Sequence, residues 1–174
     1  SPQPVECCPD ALKLAVSAEV ASSDAYRRGF AEIQDLGSQL VLMHATVPGG
    51  SRWLDACAGA GGKTLQLARM VGPDGRVDAV DIRPAILTTL RERVARARLQ
   101  NVHTPTSPAS EYDGVLVDAP CSGSGTWRRQ PHLKWQVTRE MIDEFASEQA
   151  QILASNCRRV RAGGLLVYAT CSLS

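Results

Sequence analysis

The 174-residue chain lacks any apolar run near the length of about 20 residues that a membrane-spanning helix requires. Its N-terminus also lacks the basic start and apolar core of a secretory signal. We therefore expect a cytoplasmic protein with no membrane partner. Hydrophobic residues make up 44% and charged residues 21% of the chain, which is typical of one globular domain with a sizeable core.

The six cysteines form no C-x-x-C pair, and none stands at zinc-ligand spacing with a histidine. No metal site is therefore expected. Because the chain is not small and carries no secretion signal, free thiols are expected rather than a disulfide framework. Three of the six have no surrounding pattern that suggests chemistry and are interpreted as structural: Cys7, Cys8 and Cys157.

The net charge is only +1, so no bulk excess of positive charge indicates a nucleic-acid partner. Basic residues nevertheless cluster in a Gly/Pro-rich loop between Trp127 and Trp135. Cations bind phosphates and aromatic rings stack on unpaired bases, so this loop is predicted to bind RNA. Two other basic clusters, at 91–98 and 158–161, are interpreted as solvated faces. The predicted RNA-binding cations are Arg128, Arg129 and Lys134.

Strand-like and helix-like patterns alternate along the chain, which predicts an α/β fold with a mostly parallel, doubly wound sheet. Proline at position 84 is suited to the first turn of a helix. Gly163 and Gly164 are interpreted as the end of the last helix. The predicted strands are 52–56, 76–82, 101–104, 113–118 and 165–169, and the predicted helices are 34–44, 63–71, 84–97 and 138–160.

A Gly-rich segment, LDACAGAGGKT, follows the first predicted strand. Glycines allow a tight turn, and the next helix offers free N–H groups to a ligand. Asp55 precedes this turn, and Asp81 ends the next strand 26 residues later, where a carboxylate can bind both ribose hydroxyls. The pattern favours a nucleotide-type cofactor. The alternative is a generic tight turn with a helix-capping or solvated aspartate.

The GGKT string matches a phosphate-binding loop only in part, because Cys57 stands where the pattern G-x-x-x-x-G-K-[ST] requires glycine. No acidic strand end suited to magnesium follows. A nucleotide hydrolase is therefore disfavoured. A nicotinamide-dependent enzyme stays open as an alternative, on the Gly-rich turn alone.

Cysteines follow two of the predicted strands. Cys121 comes shortly after Asp118, and Cys171 follows the last strand. If the two strands are neighbours, both thiols and the carboxylate lie where doubly wound sheets bind ligands. A single cysteine is often only a small core residue, but this combination favours chemistry. A thiolate that adds to carbon 6 of cytosine activates carbon 5, and a carboxyl group near nitrogen 3 can stabilise the adduct.

The strings GFAEIQDLGSQL, LDACAGAGGKT, DAPCSGSGT with RRQPHLKW, and GGLLVYATCS together resemble the Sun/Fmu family of RNA cytosine-5 methyltransferases. The resemblance implies a Rossmann-like class I methyltransferase fold. Residues 29–174 would form the catalytic domain, and residues 1–28 would be the remnant of an upstream region or linker. S-adenosylmethionine would be bound by Asp81, Asp118 and the turn itself, which comprises Cys57, Ala58, Gly59, Ala60, Gly61, Gly62 and Lys63.

The resemblance also implies roles in the reaction. Cys171 would be the nucleophile, Cys121 would assist product release, and Lys63 would organise the base-binding Asp118. DNA cytosine methyltransferases carry their nucleophile in a Pro-Cys motif, and that analogy would select Cys121 instead. The whole motif set favours Cys171. The expected substrate is ribosomal RNA more than transfer RNA, and the expected state is a monomer.

The chain departs from the family in two places. Members usually carry another acid near the end of the third strand, on the adenine side of the cofactor, whereas 101–114 has none before Glu111. Members also continue with further strands where this chain stops, so the last strand is expected to be an exposed sheet edge. The alternative function is a non-catalytic RNA-binding or cofactor-binding fragment.

Overall fold

The computed structural model describes residues 2–14 and 19–173. Residues 1, 15–18 and 174, which the boundaries drawn at 1–28 and 29–174 include, lie outside the described ranges. Within the first range, strands β1 (Gln3–Val5) and β2 (Cys8–Lys13) pair as an antiparallel hairpin. Helix α1 (Asp24–Arg27) follows in the second range. The Cys8 thiol is buried and lies 3.6 Å from the side-chain oxygen of Gln39, so the hairpin packs on the helix that contains Gln39.

A parallel five-stranded sheet forms the centre of the molecule. Its strand order is β5-β4-β3-β6-β7, and every neighbouring pair is parallel. The predicted parallel α/β sheet is therefore confirmed. Strand β7 lies at one edge of the described sheet with Tyr168 45% exposed, as expected for the last strand. The strands are β3 (Arg52–Asp55), β4 (Arg76–Ala79), β5 (Val102–His103), β6 (Tyr112–Asp118) and β7 (Val160–Ala169).

Four longer helices cover the two faces of the sheet. Their N-termini follow local rules: Asp35 and Thr138 accept hydrogen bonds from main-chain N–H groups of α2 and α5, and Pro84 occupies the first turn of α4. None of the helices in the described ranges has the length and apolar character needed to cross a membrane. The helices are α2 (Leu36–Met43), α3 (Gly62–Val71), α4 (Pro84–Arg96) and α5 (Arg139–Cys157).

The interpretation of Gly163 and Gly164 as the end of the last helix is wrong. Helix α5 ends at Cys157, and β7 begins at Val160, before both glycines. Gly163 has a φ of +74°, and the β6–β7 register shifts nearby, so the two glycines form a bulge inside the strand. A Cβ atom at Gly164 would lie 2.7 Å from a main-chain oxygen of the neighbouring strand, which explains why glycine stands there.

Two buried layers hold the helices on the sheet. On one face Trp53 and Leu116 pack with residues of α2 and α3 such as Leu42 and Leu67. On the other face Val115 and its buried neighbours pack against α5. Because both faces of the central strands are covered, their carboxyl ends form the accessible rim on which the candidate site lies.

Candidate active site

The Gly-rich turn joins the end of β3 to the start of α3. Gly61 precedes the helix with a φ of +88°, and Gly59 has a φ of +51°, conformations that favour glycine. A Cβ atom at Gly61 would lie 2.9 Å from the side chain of Leu90 on α4. The main-chain N–H of Ala58 donates to the carbonyl of Val80 after β4, which ties the turn to the adjacent strand.

Asp81 lies at the end of β4, beside this turn. The N–H of Gly59 donates to its Oδ2 at 2.8 Å, and Arg83 donates to both carboxylate oxygens at 3.0 and 3.1 Å. Burial opposes ionisation, but these donors outweigh it and lower the pKa of Asp81. Asp81 is therefore an ionised carboxylate covered by Arg83, whose side chain is 69% exposed. The next residue, Ile82, is 91% exposed.

A buried carboxyl group and a half-buried thiol form the floor of the site. Asp55 accepts a hydrogen bond from the Thr64 hydroxyl at 2.7 Å, whereas its Oδ1 has no partner among the described residues. Burial raises the pKa of Asp55 to about 6. Burial, together with the nearby carboxylates, raises the pKa of Cys57 to about 12, so this thiol stays neutral. Neither group resembles an activated nucleophile.

Lys63 and Asp118 form an ion pair across the site, with Nζ 2.6 Å from Oδ2. The ammonium is 11% exposed and the carboxylate 35%, so Lys63 is shielded while Asp118 still faces the cleft. Lys63 lies in the first turn of α3 and Asp118 ends β6, which places the pair between the Gly-rich turn and the cysteine-bearing loops. The arrangement is that of a cation that orients an accessible carboxylate.

The two cysteines at strand ends lie together. The Sγ atoms of Cys121 and Cys171 are 3.2 Å apart, because β6 and β7 are neighbours with Asp118 paired to Ala169. The N–H of Gly125 donates to the carbonyl of Cys171 at 2.8 Å and fixes the second loop to the first. Burial, the contact with Cys121 and the charge of Asp118 raise the pKa of Cys171 to about 11.

A cleft of about 700 Å³ on the rim of the sheet is lined by the Gly-rich turn, Asp55, Asp81, Asp118 and Cys121. That size lies within the range of small-molecule sites. Cys171 is not among the lining residues but lies beside Cys121, with the two Sγ atoms 3.2 Å apart. Helix α5 lines one wall with Phe145 and Glu148, which sequence reasoning missed because nothing local marks them. Residues 101–112, all of them described, contribute no residue to the lining of this cleft. Within the described ranges, no cluster of three histidine, cysteine or acidic side chains could hold a metal ion.

Comparison with known proteins identifies the family. A profile described as "16S rRNA methyltransferase RsmB/F" matches residues 43–174. The chain belongs to this family. It is 35% identical to ribosomal RNA small subunit methyltransferase B of Klebsiella pneumoniae over 173 residues, which is 95% of this chain and 40% of that protein. The chain therefore spans about two fifths of the length of the curated relatives that it matches.

Solved structures confirm the Rossmann-like class I methyltransferase fold. The protein named PH0851 superposes with a TM-score of 0.92 at 29% identity, over 99% of this chain and 41% of its own. NSun6 from Pyrococcus horikoshii, solved with SFG, superposes with a TM-score of 0.78 at 28% identity, over 90% of this chain and 42% of its own.

The predicted RNA-binding loop of this RsmB/F-family chain consists largely of two short 3-10 turns, at Ser124–Thr126 and Pro131–Trp135. Arg128 and Lys134 are exposed. Arg129, by contrast, forms an ion pair with Asp35, so one of the three predicted cations already has a carboxylate partner.

The interpretation of segment 91–98 as a solvated face is wrong for two of its arginines. Arg93 and Arg96 both bind the carboxylate of Glu32, and their side chains are 15% and 21% exposed. Arg93 also donates to the carbonyl of Ala60 in the Gly-rich turn at 2.8 Å. In this RsmB/F-family chain the segment after Gly29 is thus tied to the Gly-rich turn through α4. Arg161, in the second cluster, is likewise tied to a carboxylate.

Proposed function

We propose that this chain carries the catalytic core of an S-adenosylmethionine-dependent RNA cytosine-5 methyltransferase that acts on ribosomal RNA. The observation that carries the proposal is the meeting of two thiols, 3.2 Å apart, beside the Lys63–Asp118 ion pair. Lys63, Asp118 and Cys121 line the same cleft as the Gly-rich turn and Asp81, and Cys171 adjoins it through Cys121. The fold and family are those of enzymes described as acting on 16S ribosomal RNA.

The cleft fits S-adenosylmethionine, which supplies an electrophilic methyl group when bound. Asp81 is an ionised acceptor suited to two ribose hydroxyls, and the exposed Ile82 offers an apolar surface next to it. For the hydroxyls to reach Asp81, Arg83 has to turn outward, which its 69% exposed side chain allows. The Gly-rich turn, from Cys57 to Lys63, lets a ligand approach the main chain closely.

The thiol chemistry follows from the positions of three side chains. Cys171 loses its proton and its Sγ forms a bond to carbon 6 of cytosine, while nitrogen 3 takes up a proton near Asp118. Carbon 5 then acquires the methyl group. The carbon 5 proton is then lost to solvent, Cys171 is expelled as a thiolate, and return of the nitrogen 3 proton to that thiolate restores the aromatic ring and the free thiol. Cys121, with its Sγ 3.2 Å from that of Cys171, lies where it can move a proton during release.

Methyl transfer from labelled S-adenosylmethionine to cytosine-containing ribosomal RNA tests the proposal. Cys171→Ala should abolish transfer, and Cys121→Ala should accumulate a protein–RNA adduct that survives denaturation. Cys157→Ala is the matched control, because this exposed thiol ends α5 and its Sγ contacts the carbonyl of Ala154 rather than another thiol. Undiminished transfer by the Cys171 variant would refute the nucleophile assignment, and no adduct from the Cys121 variant would refute its release role.

A second candidate function is a non-catalytic fragment that binds RNA. The observation in its favour is the closed state of Asp81, both of whose oxygens accept hydrogen bonds from Arg83. This candidate predicts RNA affinity that depends on Arg128 and Lys134, with no transfer at long times. Calorimetry with S-adenosylmethionine separates the two, because the fragment would give no heat of binding. Titration with nicotinamide dinucleotides in the same calorimeter tests the alternative of a nicotinamide-dependent enzyme.

A further inference from the structure

The predicted RNA-binding loop carries a solvent-exposed indole. Trp135 is 81% exposed, whereas Trp53 is fully buried and the indole nitrogen of Trp127 is buried. Most of the Trp135 surface is therefore open to solvent, and the Lys134 ammonium lies over the ring at 4.6 Å from its centroid. A large aromatic exposed this far commonly marks a surface that binds something.

The loop that carries Trp135 contains charged side chains of one sign only. No aspartate or glutamate occurs between Asp118 and Glu140, although that interval contains four lysines and arginines. Arg129 is balanced by Asp35, but Arg128 and Lys134 are exposed, and no ion pair is formed by either among the described residues. A single indole flanked by cations fits a base with its phosphates better than a protein partner, whose binding surface would have a broader apolar core.

The loop is attached to the candidate nucleophile. Gly125 donates to the carbonyl of Cys171, and the N–H of Leu173 donates to the Ser124 hydroxyl at 2.7 Å. The turn at Ser124–Thr126 in turn contacts the turn that carries Trp135. The turn that carries the indole is therefore connected through these contacts to the segment that carries Cys171.

We propose that Trp135 is a stacking platform for an unpaired base of the RNA that delivers the target cytosine. Lys134 covers one ring face as a cation and faces the phosphates, and the opposite face receives the base. This inference rests on the proposed function for its substrate class. It adds a side chain that binds a base other than the reacting one, without contact to the reacting atoms.

Binding of a fluorescein-labelled, single-stranded 12-nucleotide RNA, measured by anisotropy without methyl donor, tests the platform. Trp135→Ala should weaken the affinity between about 5-fold and 150-fold, the range of one base–aromatic stack, and Trp135→Phe should recover most of it. Phe30→Ala is the matched control, because Phe30 is another exposed aromatic with a guanidinium over its ring, on a different segment. Its affinity should stay within about twofold of the parent chain.

A series of RNAs with one abasic nucleotide at successive positions locates the stacked base. At that position the loss from Trp135→Ala should disappear, because the partner of the indole is already missing. Equal affinity of parent and Trp135→Ala for every strand would overturn the proposal and leave a protein-docking role for the indole. No binding by the parent chain at low salt would overturn it too. Because the assay uses no methyl donor, failure of methyl transfer leaves this reading intact.

Discussion

Asp55 gives a pH dependence that can be worked out from its surroundings. It is buried beneath the Gly-rich turn, with one oxygen bonded to Thr64 and the other without a partner in the described part of the chain. Burial raises its pKa from 3.8 to about 6. The folded protein therefore binds this proton more tightly than the unfolded chain. The resulting contribution to stability is complete below pH 3.8 and is lost as the pH rises through 6.

The expected magnitude follows from the shift of about two pH units. At about 1.4 kcal/mol per unit, ionisation of Asp55 removes about 3 kcal/mol of unfolding free energy between pH 4 and pH 7. Asp55→Asn retains a carbonyl oxygen for Thr64 and has no proton to lose. Relative to the parent chain, the variant should therefore gain about 3 kcal/mol across this range. Urea unfolding at pH 4, 5, 6 and 7 measures the difference.

The control variant concerns Asp113, a carboxyl group whose pKa is shifted in the opposite direction. Hydrogen bonds from the Arg52 N–H and Arg161 lower the pKa of Asp113, so its contribution changes below pH 4 and is constant above pH 5. The stability difference between Asp113→Asn and the parent chain should therefore be flat from pH 5 to pH 7. Parallel curves for Asp55→Asn and the parent chain over pH 4–7 would refute the claim that burial holds a proton on Asp55.

Three further variants test side-chain contacts in the structure that supports the site. Asn101→Ala should cost about 1–3 kcal/mol in urea unfolding, because its side-chain amide donates to two carbonyls at the end of α3, each at 2.8 Å. Gly114→Ala should cost about 1–3 kcal/mol and shift the Trp53 emission, because the new methyl would lie 2.4 Å from the indole. Arg93→Lys should weaken S-adenosylmethionine binding in calorimetry, because an ammonium lacks the planar fork that bridges a carboxylate and the Gly-rich turn. Unchanged values would refute the corresponding contact.

The parallel sheet and the proximity of the Cys121 and Cys171 thiols were predictable from the sequence for the same reason. Strand ends are marked by local patterns, and parallel neighbours bring their carboxyl ends to one rim, so Cys121 and Cys171 could be placed together before any contact was known. The start of β7 was not predictable, because Gly163 has the local appearance of a helix end while its true role depends on a neighbouring strand. The bond between Arg93 and Glu32 spans 61 residues and leaves no local trace.

The protonation of Cys171 leads to a prediction about when the nucleophile forms. The negative charge of Asp118 is one cause of the raised pKa of about 11, after burial and the contact with Cys121. Under the proposed mechanism, a proton on ring nitrogen 3 shared with Asp118 reduces that charge, so the bound base itself favours the thiolate. Asp118→Asn imitates this reduction and also leaves the Lys63 cation unpaired, which acts in the same direction.

The rate of Cys171 alkylation by iodoacetamide, followed by mass spectrometry from pH 7 to pH 11, should therefore show a lower apparent pKa in Asp118→Asn than in the parent chain. Asp113→Asn removes a carboxylate that does not contribute to the shift of Cys171 and should leave the profile unchanged. An Asp118→Asn profile identical to that of the parent would mean that burial and Cys121 alone hold the proton. The base would then need another route to the thiolate, and coupling through Asp118 would be refuted.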